Sequence, residues 1–395
     1  MKKTTVYLFC ILLSQTIIAQ IKLGAPCASK QELQDVAGKY QTAAQYPWPA
    51  VRAAYFSNLS AAADKAIAKQ TLGQIEILEQ KSRANFNFTG GFWEAYYSTE
   101  GYKYAGNKKL ADYRFQIALH EYICINKKAT RNDEYSTVLR VYLNTIPFNE
   151  MSRHLEMALN GYINLGNYIY KDWKNYKLGG VAPTIELANY ITVKNDGLAN
   201  TINTGDGYWQ DIPEKQIRKN TYDHIYRYWF ITKNNIPLLV PVTRKEYLES
   251  LLEYFEREKL YFAKQSAGSG KGYENWQGIV EGKKAKVVSL LKENSTEWLS
   301  KQAVINFTED SYQNQKQKLP EYTSSFTFRK FYDNENGACP LYKYNPACFS
   351  ATTQSPANPQ FITLSFRYAS MPVHLRLLDN FTKNFDRSAW GQLLK

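Results

Sequence analysis

Residues 222–262 constrain the fold more than any other stretch, because they spell out three elements and the junctions between them. The run 224–231 is aromatic and β-branched, which reads as a strand. Lys233, Asn234 and Asn235 supply a turn, since Asn tolerates positive φ. In 236–243, Ile236, Leu238, Val240 and Val242 alternate onto one face. Pro237 and Pro241 remove N–H groups from the same side of that run, so it is expected to pair back on the preceding strand and to be an edge. Thr243-Arg244-Lys245-Glu246 fits a capping box. The helix that follows keeps Leu248, Leu251, Leu252, Phe255 and Phe262 on one face. The expected unit is a β-hairpin feeding a capped helix.

The N-terminus bounds the compartment. Lys2 and Lys3, an apolar core from Val6 to Leu13 and the ending Ile17-Ile18-Ala19 read as a secretory signal cut after Ala19. Pro26 before Cys27 argues against a lipoprotein. No later apolar run approaches the roughly 18 residues of a membrane helix, so no transmembrane segment is expected in the mature chain. Four cysteines remain after the signal, and an exported chain with an even number is expected to pair them. Cys339 and Cys348 bracket a short Pro/Asn-rich loop and are expected to join locally, leaving Cys27 to join Cys124. Zinc is not expected, because no C-x-x-C occurs and no histidine sits at ligand spacing.

The net charge of +13 falls to +11 once Lys2 and Lys3 leave with the signal. The excess is spread along the chain, which argues against a nucleic-acid groove and leaves attraction to a glycan or an anionic envelope component.

The remaining pattern implies an α+β fold, mostly antiparallel sheet with flanking helices and an N-terminal helical segment. The expected units are a helical segment over 20–85, an antiparallel β region over 86–195, a linker or long loop over 196–221, and an α+β region over 222–395. Helices are expected within 30–83, with a break at Gly73, over 148–160, over 276–294, at Trp298-Leu299, and from Pro372 onward. Strands are expected in a pair within 86–104, at 113–125, 136–146, 161–171 and 184–194 as a meander, and at 325–332. In 361–368, Phe361, Thr363, Ser365 and Arg367 oppose Ile362, Leu364, Phe366 and Tyr368.

Catalytic patterns are sparse. His120-Glu121 lacks the second histidine of a zincin, and His154-Leu155-Glu156 lacks the P-C-x-x-C of a zinc deaminase. Gly268-Ser269-Gly270-Lys271 has neither the first Gly nor the Ser/Thr of a P-loop. The acidic run 333–337 departs from an EF-hand at Tyr332 and Lys343. A carboxylate pair such as Glu94 with Glu121 is the type a glycoside hydrolase needs. No cofactor is implied.

Three binding-type features stand out. Eight of the nineteen residues in 86–104 are aromatic, and Trp93, Tyr96 and Tyr97 could stack on sugars or simply fill a core. Tyr170, Trp173 and Tyr176 interleave with Lys174, able to stack on a ring beside an anionic group or to be solvated lysines over a strand end. Thr243, Arg244 and Lys245 begin a helix with cations, an arrangement that a bound anion would relieve. The leading expectation is a non-enzymatic exported binding protein of the envelope or extracellular space. A secreted carboxylate-based hydrolase of glycans and a structural envelope component are the alternatives.

Overall fold

The computed structural model describes residues 26–27, 32–106, 108–135, 137–151, 155–157, 190–194, 210–213, 224–265, 273–306, 328–333, 337–350 and 355–395. The signal-like N-terminus, residues 161–171 and the Gly/Ser run at 268–272 lie outside them.

The strands are β1 (Lys39–Gln41), β2 (Gly91–Ala105), β3 (Lys108–Ile125), β4 (Lys128–Arg131), β5 (Thr137–Leu143), β6 (Leu155–Met157), β7 (Ile191–Val193), β8 (Gln210–Pro213), β9 (His224–Thr232), β10 (Leu239–Pro241), β11 (Val304–Ile305), β12 (Cys339–Tyr344) and β13 (Phe361–Ala369). The helices are α1 (Pro49–Ala54), α2 (Ala62–Ser82), α3 (Arg244–Gln265), α4 (Tyr273–Glu293), α5 (Thr296–Ser300), α6 (Pro372–Asn384) and α7 (Arg387–Gly391). The fold class is α+β, and every strand pair is antiparallel except β1 with β2 among the described residues.

A large sheet runs β1-β2-β3-β5-β13-β9-β8, with β4 on β3, and a smaller one runs β10-β12-β7-β6, with β11 on β12. Strands from 86–195 and from 222–395 therefore share one sheet, joined where β5 pairs with β13. Directly opposed residues share a face, so one face of the large sheet carries Trp93, Phe115, Ile117, Val141, Leu364 and Trp229. Leu72 and Ile75 of α2, Leu377 and Phe381 of α6, and Trp390 of α7 cover it. The other face meets the smaller sheet through Phe230 and Phe361 against Leu239, Tyr342 and Tyr344. Leu341, on the far side of the smaller sheet, packs with Leu248, Leu251 and Phe255 of α3 and Val280 of α4. The layers run helices, large sheet, small sheet, helices.

Several expectations are met. β9, β13, α3, α4, α5 and α6 stand where the sequence puts them, and Asn234 and Asn235 take φ of 55° and 56° in the turn after β9. The capping box is formed: the Thr243 N–H donates to Glu246 Oε2 at 2.9 Å, and the Glu246 N–H donates to Thr243 Oγ1 at 3.2 Å. Among the described residues no helix is long and apolar enough to cross a membrane.

Other expectations are corrected. β10 is an edge strand, but it does not form a hairpin with β9. Both edges of β9 are already bonded, to β13 and β8, so the chain crosses to the smaller sheet, where Val240 faces Lys343. The 86–104 run is one long strand, not two. Gly101, at φ 92°, absorbs a register shift between Thr99 and Gly101 and lets β2 continue. Helix α2 passes Gly73 unbroken, because burial of Leu72 and Ile75 outweighs the ~1 kcal/mol that Gly costs in a helix. In place of a helix over 148–160 there is a turn at 147–151 and then β6. The meander ends at β5, whose free edge is taken by β13. Phe328 to Tyr332 is irregular, since the Phe328 and Phe331 rings pack on Tyr247 instead of entering a ladder.

Cys27 and Cys124 form a disulfide, with Cα atoms 6.0 Å apart, tying the N-terminal segment to the end of β3. Cys339 and Cys348 are not joined. The residues between them are an extended six-residue strand, β12, and only then a 3-10 turn, so the loop does not bring its ends together. The Cys348 thiol is buried against the Pro237 carbonyl at 3.2 Å, and burial pushes its pKa up to about 12.

Candidate functional site

The face of the large sheet turned toward the smaller sheet is apolar at one end and polar over the rest. Strand alternation places the polar residues and pairing aligns them. Tyr96, Gln116, Arg140, Ser365 and Tyr228 are direct neighbours across β2, β3, β5, β13 and β9. The row on one side is Ser98, Arg114, Tyr142, Thr363 and Phe230. The row on the other is Glu94, Ala118, Val138, Arg367 and Tyr226. Three arginines, Arg114, Arg140 and Arg367, thus step diagonally across three adjacent strands.

One carboxylate sits among them. The turn at 147–151 lowers Glu150 onto the face, where Oε1 accepts from Arg140 Nη1 at 2.6 Å and from the Tyr142 hydroxyl, and Oε2 accepts from Ser365 Oγ at 2.8 Å. Arg140 Nε also donates to Gln116 Oε1 at 2.8 Å. Arg114 Nε donates to Ser98 Oγ at 2.8 Å, and its nearest carboxylate is the exposed Glu100 at 3.4 Å. Arg367 Nη2 donates to the Tyr135 backbone carbonyl at 3.4 Å. Among the described residues Glu150 is committed to Arg140 and Glu94 to Arg131, and Arg114 has only the exposed Glu100. Burial, then the Glu150 carboxylate, push the Tyr142 phenol far above its ordinary range, so it stays a neutral donor. Burial, with Tyr135 alongside, pushes Tyr96 up to about 12. Gln116 Nε2, Thr363 Oγ1 and Arg367 Nε are buried without a partner, which is the mark of a polar layer that its own side chains do not saturate.

The sequence-derived candidates distribute as follows. Tyr96 lies on this face, half-buried. Trp93 and Tyr97 have the opposite strand parity and point into the helical core: Trp93 packs edge-on against Phe88, and the Tyr97 hydroxyl donates to Glu76 at 2.5 Å. Tyr170, Trp173, Lys174 and Tyr176 lie outside the described residues. Thr243, Arg244 and Lys245 do begin a helix, and Arg244 Nε is buried there without a partner among the described residues. Glu246 occupies the cap, Arg244 lies 4.7 Å from the centroid of Trp298 and 3.7 Å from Asp333, and Lys245 sits beside Glu249 at 3.8 Å. Glu94 and Glu121 are on opposite faces of β2–β3 and engage Arg131 at 2.9 Å and His374 at 2.5 Å, so they cannot flank one glycosidic bond. Among the described residues no cluster of three or more His, Cys, Asp or Glu is arranged to hold a metal ion.

A second polar cluster runs through the core. The Ala369 N–H donates to Thr137 Oγ1 at 3.2 Å, Thr137 Oγ1 lies 2.5 Å from His374 Nδ1, and His374 Nε2 lies 2.5 Å from Glu121. Hydroxyl, imidazole and carboxylate come in the order of an acyl-transfer triad. His374 has no exposed surface and Thr137 almost none, so no substrate reaches them, and the chain of bonds pins α6 to the sheet. Separately, a cavity of about 500 Å³ between α2 and α7 is lined by Ile67, Gln74, Leu78, Asn358 and Leu393, and it includes none of the arginines.

Arg114, Gln116, Arg140, Glu150, Ser365 and Arg367 are residues that the sequence did not single out as a site. Their only signal is a polar residue at every second position of otherwise apolar strands. No family model, curated protein or solved structure matches this chain, so the site's own geometry carries the functional reading.

Proposed function

We propose that this chain is an exported, non-enzymatic binding protein of the bacterial envelope or extracellular space, and that it takes an anionic, carboxylate-bearing glycan on the arginine face of its large sheet. The observation that carries the reading is the diagonal of Arg114, Arg140 and Arg367 on adjacent strands, with the half-buried Glu150 paired to Arg140. Guanidinium forks suit carboxylates, and the half-buried Tyr96 ring beside them offers a stacking surface for a sugar. The signal-like N-terminus and the Cys27–Cys124 bond support export. The separation of Glu94 from Glu121 removes that pair as the two carboxylates of a hydrolase.

Calorimetric titration of the mature protein with oligogalacturonate and with a neutral oligosaccharide of equal length tests this. Binding of the uronate alone, weakened about tenfold or more by Arg114→Gln or Arg367→Gln, is expected, since a hydrogen bond to a charged group contributes ~1.5–3 kcal/mol. Equal binding of the neutral sugar, or no effect of either substitution, refutes it. Release of new reducing ends would move the protein to the hydrolase class.

A further inference from the structure

The segment at residues 46–54 (YPWPAVRAA) projects a short apolar finger from the surface. Trp48 is 64% exposed and Val51 43%, whereas Trp93, Trp229 and Trp390 are all buried. Pro47, Pro49, Ala50, Ala53 and Ala54 are exposed beside them. Water-facing apolar residues are ordinary when scattered; a tryptophan, a valine, two prolines and three alanines in nine positions form a patch. The finger is firmly held at its base. Tyr55 is buried, its ring 6.5 Å from Tyr46 and 5.4 Å from Tyr97, and Pro49 starts α1 at a position where its fixed φ suits a helix. Arg52 is tied to the Tyr46 carbonyl, and its backbone N–H donates to Trp48 O at 3.1 Å. Such a loop keeps its tip in water by construction, with no collapse onto the body.

Charge selects the partner. Between Asp35 and Asp64 the chain contains no carboxylate, while Lys39 and Arg52 lie within that span. Of the carboxylates near the base, Glu94 beside Tyr46 pairs with Arg131 at 2.9 Å, and the buried Glu76 accepts from the Ala43 N–H at 3.0 Å and from the Tyr97 hydroxyl at 2.5 Å. The finger thus combines an indole, which favours the polar–apolar boundary of a bilayer, with Lys39 and Arg52 and no carboxylate in its own segment. We propose that the Trp48 finger docks the protein peripherally on an anionic lipid surface, with Trp48 and Val51 entering the headgroup–acyl boundary and Arg52 at headgroup level. This contact is separate from the arginine face.

Co-sedimentation with vesicles of phosphatidylcholine alone, and of phosphatidylcholine mixed with phosphatidylglycerol, tests the proposal on the mature chain. The wild type is expected to pellet with the mixed vesicles and to be released by added salt. Trp48→Ala should weaken that binding about tenfold or more, Trp48→Phe only a few-fold, and Val51→Ser a few-fold. Both side chains are at the surface, so the melting temperature of each variant should match the wild type, and Arg114→Gln should leave vesicle binding unchanged. Absence of wild-type binding to either vesicle, or equal binding by Trp48→Ala, overturns it. Self-association in ultracentrifugation that Trp48→Ala abolishes, without vesicle binding, would assign the finger to a second copy of the chain and overturn the lipid reading.

Discussion

Replacing Glu150 by Ala removes the one acid that organises the arginine face, and the cost can be worked from its contacts. Glu150 accepts from Arg140 at 2.6 Å and from Ser365 at 2.8 Å as well as from Tyr142. The Arg140 and Glu150 side chains are 15% and 17% exposed, so the pair is mostly desolvated. Removing one member of a buried pair costs ~3–5 kcal/mol, and the residual exposure puts this pair at the lower end. Two hydroxyls, on the buried Ser365 and Tyr142, also lose their acceptor, at about 1 kcal/mol each. The expected loss for Glu150→Ala is therefore about 5 kcal/mol, and for Glu150→Gln, which keeps the shape and one acceptor, about 2 kcal/mol. Urea titration followed by tryptophan fluorescence measures both. A double-mutant cycle with Arg140→Met should show a coupling of about 2 kcal/mol, because the apolar replacement no longer strands a charge. A loss below about 1 kcal/mol for Glu150→Ala, or coupling within about 0.3 kcal/mol of zero, would refute the view that this carboxylate holds the face together.

Glu246 gives a pH-dependent prediction. Burial pushes its carboxyl up, but hydrogen bonds from Lys343 at 2.6 Å and from Thr243 outweigh that and hold it below the usual range. Its contribution to stability is whole above the unfolded pKa of about 4.3 and is lost as pH falls through the lower folded value. Lys343→Met should cost about 1 kcal/mol at neutral pH and flatten the acid limb of the stability curve; an unchanged NMR titration of Glu246 in that variant would count against the pairing. The Cys27–Cys124 bond closes a loop of 97 positions, so reduction should destabilise by about 4 kcal/mol, read as a lower melting temperature with reductant. A non-reducing peptide map should show that link, and finding Cys339 joined to Cys348 would contradict the extended β12.

Local chemistry made α3, its cap and the strands β9 and β13 legible in the sequence, because Thr243, Glu246 and the alternation in 361–368 act within a few residues of themselves. Partner choice was not legible. The pattern in 236–243 correctly gave an edge, yet which sheet it edges depends on β13 and β8 having filled both sides of β9. The same limit hid the site. An aromatic run shows that successive rings face opposite ways, but only pairing with β3 decides that Tyr96 lies with Arg140 while Trp93 and Tyr97 lie with α2. Arg114, Arg140 and Arg367 are isolated polar residues in three strands until register lines them up.

The position of β13 between β5 and β9 has a consequence for how the protein is made. The backbone N–H of Ala369 reaches the hydroxyl of Thr137 across 232 positions, so the sheet's middle closes only after most of the chain has left the ribosome. Until then the edge of β5, with the sequence TVLRVYL, presents unpaired amides and aliphatic side chains to any neighbouring chain. Contacts this remote in sequence fold slowly. That interval exposes the nascent β5 edge to aggregation unless a holdase covers it.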